Sequence, residues 1–175
     1  MDIKSYILFN FIIYSFIGWI IEEIYSFIVT GKLKKEGFLI GPFKPMYGIA
    51  FTSLIICNEM LGIDGISLML LCLLIPTTVE YISGYMLRHI FHKNYWDYSD
   101  YKYNLYGYVT ISFSFCWMIL SFIGIYLFQP ALYNIYKLEE EFLIIITCIF
   151  SVIATLDLVL TLRHFKGRIL ARKQV

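Results

Sequence analysis

The sequence has little charge. Only 15% of its 175 residues are Asp, Glu, Lys or Arg, against 59% hydrophobic. With a mean hydropathy of +0.72, the chain carries more apolar surface than a soluble domain of this length can bury. That excludes the ordinary globular class and points to a bilayer. The few basic residues are spread between apolar segments and the net charge is +1, so no nucleic-acid partner is expected. There is no CxxC spacing. Cys57, Cys72, Cys116 and Cys148 all lie within apolar runs and read as small buried side chains, not disulfides or metal ligands. No Walker A string, GxxxxGK[ST], is present, so any ATP-driven activity needs a separate ATPase subunit. The opening MDIKS is not a basic n-region, and the first apolar run has no small-residue cleavage site. A cleaved signal peptide is therefore not expected.

What is present is a set of long apolar runs. A spanning helix needs about 20 residues at about 1.5 Å rise each. Five segments qualify by length or composition: Tyr6 to Val29, Met46 to Leu61, Ile66 to Arg88, Tyr106 to Phe128 and Phe142 to Leu162. The second is short, covering only about 24 Å of a hydrocarbon core about 30 Å thick. The fold expected is an all-α integral membrane protein, a bundle of about five transmembrane helices. A single polytopic domain over residues 1–165 would be followed by a basic cytosolic tail at 166–175. Lysine and arginine counts on alternate sides set the orientation. Lys32, Lys34, Lys35, Lys44, Arg88, Lys93, Lys102, Arg163, Lys166, Arg168, Arg172 and Lys173 fall on one side, and Lys4 and Lys137 on the other. That asymmetry predicts the N-terminus outside and the C-terminus cytosolic.

The segment Gly37 to Gly48, GFLIGPFKPMYG, is too broken by Gly and Pro for an ordinary helix, yet apolar enough to enter a membrane. Pro42 and Pro45 suit the first turn of the short second helix, whose N-terminus would face a cavity on the cytosolic side. Gly41 and Gly48 would permit close backbone approach, and Lys44 is available for an anion. Irregular backbone at membrane depth is tolerated where it lines a cavity. A sharp re-entry with no ligand is the alternative reading of the same residues.

Acids inside the membrane are costly and default to functional hypotheses. Glu22 and Glu23, Glu80, and Asp157 lie in three different runs, each acid about 8 to 12 Å from the cytosolic end of its helix. Glu59, in the last turn before the outer surface, is set apart. Ser15, Gly18, Glu22 and Tyr25 share a face of the first helix, and Thr77, Glu80, Gly84 and Arg88 a face of the third. Arg88 would pair with Glu80 or snorkel to the interface. The alternative is that these acids are protonated or ion-paired packing residues.

The loop RHIFHKNYWDYSDYKYNLYG, Arg88 to Gly107, gathers polar and aromatic residues. Asp100 or Asn104 would cap the fourth helix, and Trp96 would anchor at the interface. His89, His92 and Asp97 match no closed zinc pattern. Small residues Gly107, Thr110, Ser114, Ser121 and Gly124 in the fourth helix, and Thr147, Ser151 and Thr155 in the fifth, are expected to face neighbouring helices. On the outer side, Gly62 to Gly65 reads as a tight turn. Tyr133 to Glu141 reads as an interfacial piece whose acidic run is a solvated face.

In this order, YSFIGWIIEE, GFLIGPFKPMYG, Glu80–Tyr81, FHKNYWDYS and NLYG resemble the CmpB-type family of ABC-transporter permeases, from about Tyr14 to Pro130. The resemblance marks Gly18, Trp19, Glu22, Gly37, Gly41, Pro42, Pro45, Tyr47, Gly48, Glu80, Trp96, Asp97, Tyr98, Ser99, Asn104 and Gly107. It departs at Glu36 and Tyr108, where the family tends to have arginine. The function it implies is that of a small bacterial multi-span permease component in the cell membrane. The expected site is a cytosol-facing cavity for a small polar or anionic solute or a lipid headgroup, built from Glu22, Gly41, Pro42, Lys44, Pro45, Tyr47, Gly48, Glu80, Arg88, Trp96, Asp97, Tyr98, Ser99 and Asn104. The partners would be the lipid bilayer, a separate ATPase subunit and further copies of the chain. The competing expectations are a membrane-embedded enzyme acting on a lipid-linked substrate, with Glu22 or Glu80 as base and Asp97 or a histidine as partner, and a non-catalytic assembly protein.

Overall fold

The structure is a computed structural model that describes residues 2–33 and 37–172, with side chains as far as Lys166. The chain runs almost wholly in helices: α1 (Ile3–Thr30), α2 (Pro45–Ile55), α3 (Gly65–His89), α4 (Ile111–Ile123), α5 (Gln129–Leu138) and α6 (Glu140–Arg172). The extended structure among the described residues is a two-stranded antiparallel hairpin, β1 (Asn104–Leu105) with β2 (Val109–Thr110). Among the described residues, four helices are long and apolar enough to cross a membrane: Ile3–Thr30, Gly65–His89, Ile111–Leu138 and Glu140–Lys166. The expected fifth is α2 continued by a π-helical turn, Ile56–Met60, and is too short to cross alone.

Local chemistry explains the helix ends. Asp2 caps α1, its carboxylate accepting from the Ser5 N–H at 2.9 Å, and Gly31 ends it in the left-handed conformation. Pro45 opens α2, where a missing N–H costs nothing. A second π turn, Gly124–Phe128, joins α4 to α5 so that the two run on as one span.

Two expected boundaries were wrong. The fourth helix begins at Ile111, not Tyr106, because residues 104–110 form the hairpin. Asn104 therefore caps no helix; its Oδ1 accepts from the Gly107 N–H at 3.0 Å and closes the hairpin turn. Tyr133 to Glu141, expected as a short interfacial piece after a fourth helix ending at Phe128, continues that helix. It is helix α5 to Leu138 and a break at Glu139, with Glu140 and Glu141 in the first turn of α6, where acids suit the helix dipole. Tyr136 in this stretch is fully buried.

The main core lies between α1, α2, α3, the second π turn and α5, around Tyr6, Phe9, Tyr14, Leu54, Leu68 and Tyr136. Helices α1 and α2 make the most extensive contact, and glycine sets their spacing. A Cβ on Gly48 would sit 2.6 Å from the Phe11 carbonyl oxygen, and one on Gly18 would run into the Tyr47 ring. The small residues Thr110, Ser114, Ser121 and Gly124 are buried as expected. On α6 only Thr147 of the expected stripe is fully buried, while Ser151 is half-buried and Thr155 exposed. Helix α6 packs on the rest mainly through α1 and α5, and most of its apolar surface faces outward. The tail expected at 166–175 continues α6 as far as Arg172, and its side chains beyond Lys166 lie outside the described residues, as do Lys34, Lys35 and Glu36.

Candidate functional site

The Gly37–Lys44 segment re-enters the bundle. The Lys44 N–H donates to the Ser15 carbonyl at 2.9 Å, and Ser15 lies midway along α1. On the other flank, the Asp157 carboxylate of α6 accepts from the Ile40 N–H at 3.1 Å and the Gly41 N–H at 2.8 Å, with the Thr161 hydroxyl at 3.4 Å. A Cβ on Gly41 would stand 3.0 Å from that carboxylate, which is why glycine allows the contact. Asp157 is thus the anion that the segment's backbone donors bind. It also ties the otherwise lightly packed α6 to the bundle.

Lys44 is paired as well. Its ammonium lies 2.9 Å from Glu22 Oε2, with both side chains mostly buried. Tyr47 lines the same chamber as that glutamate. Across the chamber, Glu80 is 3% exposed. It accepts from the Tyr98 hydroxyl at Oε1 and from Trp117 Nε1 at Oε2, each at 3.0 Å. Arg88 does not pair with it. These side chains bound a cavity of about 340 Å³ that Glu22, Tyr47, Glu80, Trp96, Tyr98 and Trp117 line. Burial, reinforced by the charge of Glu80, holds the Tyr98 hydroxyl protonated well above the usual tyrosine range.

The WDYS loop is mainly a scaffold for those two aromatic side chains. Asp97 Oδ1 accepts from the Ser99 N–H and hydroxyl. Asn104 Nδ2 donates to the Ser99 and Tyr101 carbonyls. Gly107, at φ +73°, leaves no room for a Cβ beside Asp97 and Ser99. Arg88 donates to Asn94 Oδ1 and the Tyr106 carbonyl, approaches Asp97 at 3.5 Å, and lies over the Tyr108 ring. Trp96 donates to the Tyr108 carbonyl at 2.9 Å. Trp96 and Tyr98 therefore reach the chamber, whereas Arg88, Asp97, Ser99 and Asn104 hold the loop. Gly48 serves the α1–α2 contact, and Pro42 faces outward. His89 meets the Tyr108 hydroxyl at 2.9 Å. Among the described residues no group of three or more His, Cys, Asp or Glu is placed to hold a metal.

A larger cavity of about 840 Å³ opens between the re-entrant segment, α1, the loop and the end of α6. Gly37, Gly41, Lys44, Lys93, Tyr95 and His164 are among its walls, with Trp19 and Glu23. Ligand pockets run from about 300 to 1,000 Å³, so its size is that of a binding cavity. The family described as "Putative ABC-transporter type IV", of CmpB type, matches residues 9–162. The chain belongs to that family. No curated protein and no solved structure matches it.

For this CmpB-type protein, several important residues escape a reading of the sequence. Trp117 carries a signal, as a tryptophan in the middle of an apolar run where no interface belt is expected. Lys93 and His164 carry none, because only the fold brings the loop beside the end of α6. At the other end of the bundle, Tyr6 donates to Glu59 at 2.8 Å. Gln129 Nε2 donates to Tyr6, Asn10 and Glu59 within 3.2 Å, and Tyr14 donates to Gln129 Oε1 at 2.7 Å. The amides Asn10 and Gln129, buried in hydrocarbon-length helices, were the available signal for this network.

Proposed function

We propose that this protein is the membrane-spanning component of an ABC-type permease. Its N-terminus lies outside and its C-terminus in the cytosol, where the 840 Å³ cavity receives a small polar or anionic solute or a lipid headgroup. The cavity is the observation that carries the reading: two lysines and a histidine are among the side chains that line it. The strong bias of Lys and Arg to one side supports the orientation. With no Walker A string in the sequence, ATP hydrolysis falls to a separate ATPase subunit. Four spanning helices are few for a pathway, so two or more copies assemble around it. The enzyme reading gains little support, because Asp97 is engaged within its own loop rather than beside Glu80. Reconstitution in liposomes, with and without candidate ATPase subunits, tests the proposal. Uptake or release of one solute or lipid class that needs both proteins is the expected result. If a broad screen shows no movement and no ATPase subunit co-purifies, the permease reading fails.

A further inference from the structure

The mouth cavity does not end at its polar walls. Phe38, Leu39, Lys44 and Tyr95 also line a second chamber, of about 250 Å³, between the re-entrant segment and the last turns of α3. The rest of that chamber is mostly apolar, including Phe43, Ile49, Met86, Leu87 and Phe91. Lys44 and its partner Glu22 stand at the junction. Lys93 makes no ion pair among the described residues, and on the mouth wall it is accompanied by His164, Lys44 and the acid Glu23. A mouth that carries a lysine without an ion pair among the described residues, and that shares walls with an apolar chamber, has the layout of an amphiphile.

We infer that the ligand is a phospholipid of the cytosolic leaflet with net negative headgroup charge, its phosphate at Lys93 in the mouth and one acyl chain in the apolar chamber. The inference rests on the mouth cavity being the ligand site, as argued above, and adds the ligand's class. The lysine donates charge-assisted hydrogen bonds to the phosphate, and the fixed cation of a zwitterionic headgroup is repelled by the same lysine. Inside a bilayer the chain gains little hydrophobic free energy on leaving other chains, so the chamber contributes fit and access. Headgroup charge then sets selectivity. A free phosphate ester offers the same charge without the chain, so the two sources separate experimentally.

The full-length protein is placed in nanodiscs of equal phosphatidylglycerol and phosphatidylcholine. Lipid that stays bound on release is identified by native mass spectrometry, and glycerol phosphate binding is measured in parallel. Phosphatidylglycerol should be retained about tenfold over phosphatidylcholine. Lys93→Glu should reduce that to parity. Ile49→Trp/Leu87→Trp, which fills the chamber, should abolish lipid retention while leaving glycerol phosphate binding intact. If the double variant is not monodisperse, Met86→Trp on the chamber's outward wall serves the same purpose. Lys93-dependent glycerol phosphate binding without preference for the lipid, or lipid retention indifferent to chamber filling, overturns the lipid inference while the cavity stays a ligand site. Binding of neither probe removes both.

Discussion

The Glu22–Lys44 pair offers the most direct test of how this bundle tolerates charge. The two side chains are 18% and 14% exposed and 2.9 Å apart. Removing one partner of a fully buried pair costs about 3–5 kcal/mol, because the remaining charge is left uncompensated. Residual exposure of both side chains lowers that to about 2 kcal/mol for Lys44→Met. Glu22→Gln should cost a similar amount by stranding the ammonium. The double variant Glu22→Gln/Lys44→Met holds no charge and should lie within about 1 kcal/mol of the unaltered protein, since neutral replacements avoid the desolvation cost. The assay is equilibrium unfolding in mixed micelles by added sodium dodecyl sulfate, followed by helical circular dichroism. The two single costs should exceed the double cost by about 2 kcal/mol or more. If they add to within about 0.5 kcal/mol, the criterion for independent sites, the pair is not coupled and the account of Lys44 is wrong.

Three further outcomes follow from the same geometry. Gly48→Ala should destabilise by about 3 kcal/mol, the upper end for overpacking, because the new Cβ meets a backbone carbonyl of α1; thermal unfolding in detergent reads it. Asp157→Asn should speed hydrogen exchange at the Ile40 and Gly41 N–H groups about tenfold or more, since one carboxylate now serves both donors. Unchanged protection there would show that the contact does not hold the segment. The Asp97 carboxyl is held below its ordinary value of 3.8, first by its hydrogen bonds from Ser99 and then by Asn94 and Arg88. A depressed folded pKa means that the stabilisation is present above the unfolded value and lost as pH falls through the folded one. The side-chain carboxyl resonance of Asp97 should therefore stay constant from pH 8 to pH 5 and shift only in stronger acid, and a titration of that carboxyl near neutral pH would contradict this.

The membrane class was plain from the sequence, because hydrocarbon-length apolar runs have few other uses. The spans at α1, α3 and α6 were legible within a few residues. The start of α4 was not, since Asn104, Gly107 and Thr110 mimic helix-boundary and small-residue signals while serving a hairpin. Glu22, Tyr47, Glu80, Trp96 and Tyr98 were recognised from intramembrane acids and family strings, and the fold gathers them around one chamber. The same strings gave Asp97, Ser99 and Asn104 equal weight, although their bonds stay within the loop. A motif shows which residues belong together; it does not distinguish those facing a cavity from those that shape the turn.

By itself the sequence determined the solvent of this protein, the approximate spans and the family. Each depends on composition or on order along the chain. Partnership was decided only in three dimensions. The Gly37–Gly48 segment looked like an anion site, with an open helix N-terminus and a spare lysine. In the folded chain Asp157, 116 residues from Gly41, takes the Ile40 and Gly41 N–H groups, and Glu22 takes the lysine. The cation left without an ion pair among the described residues that line the mouth is Lys93, brought there by the loop after α3. An electrostatic pair depends on separation in space, and neither charge nor spacing along the chain fixes which opposite charge the fold will place within 3 Å.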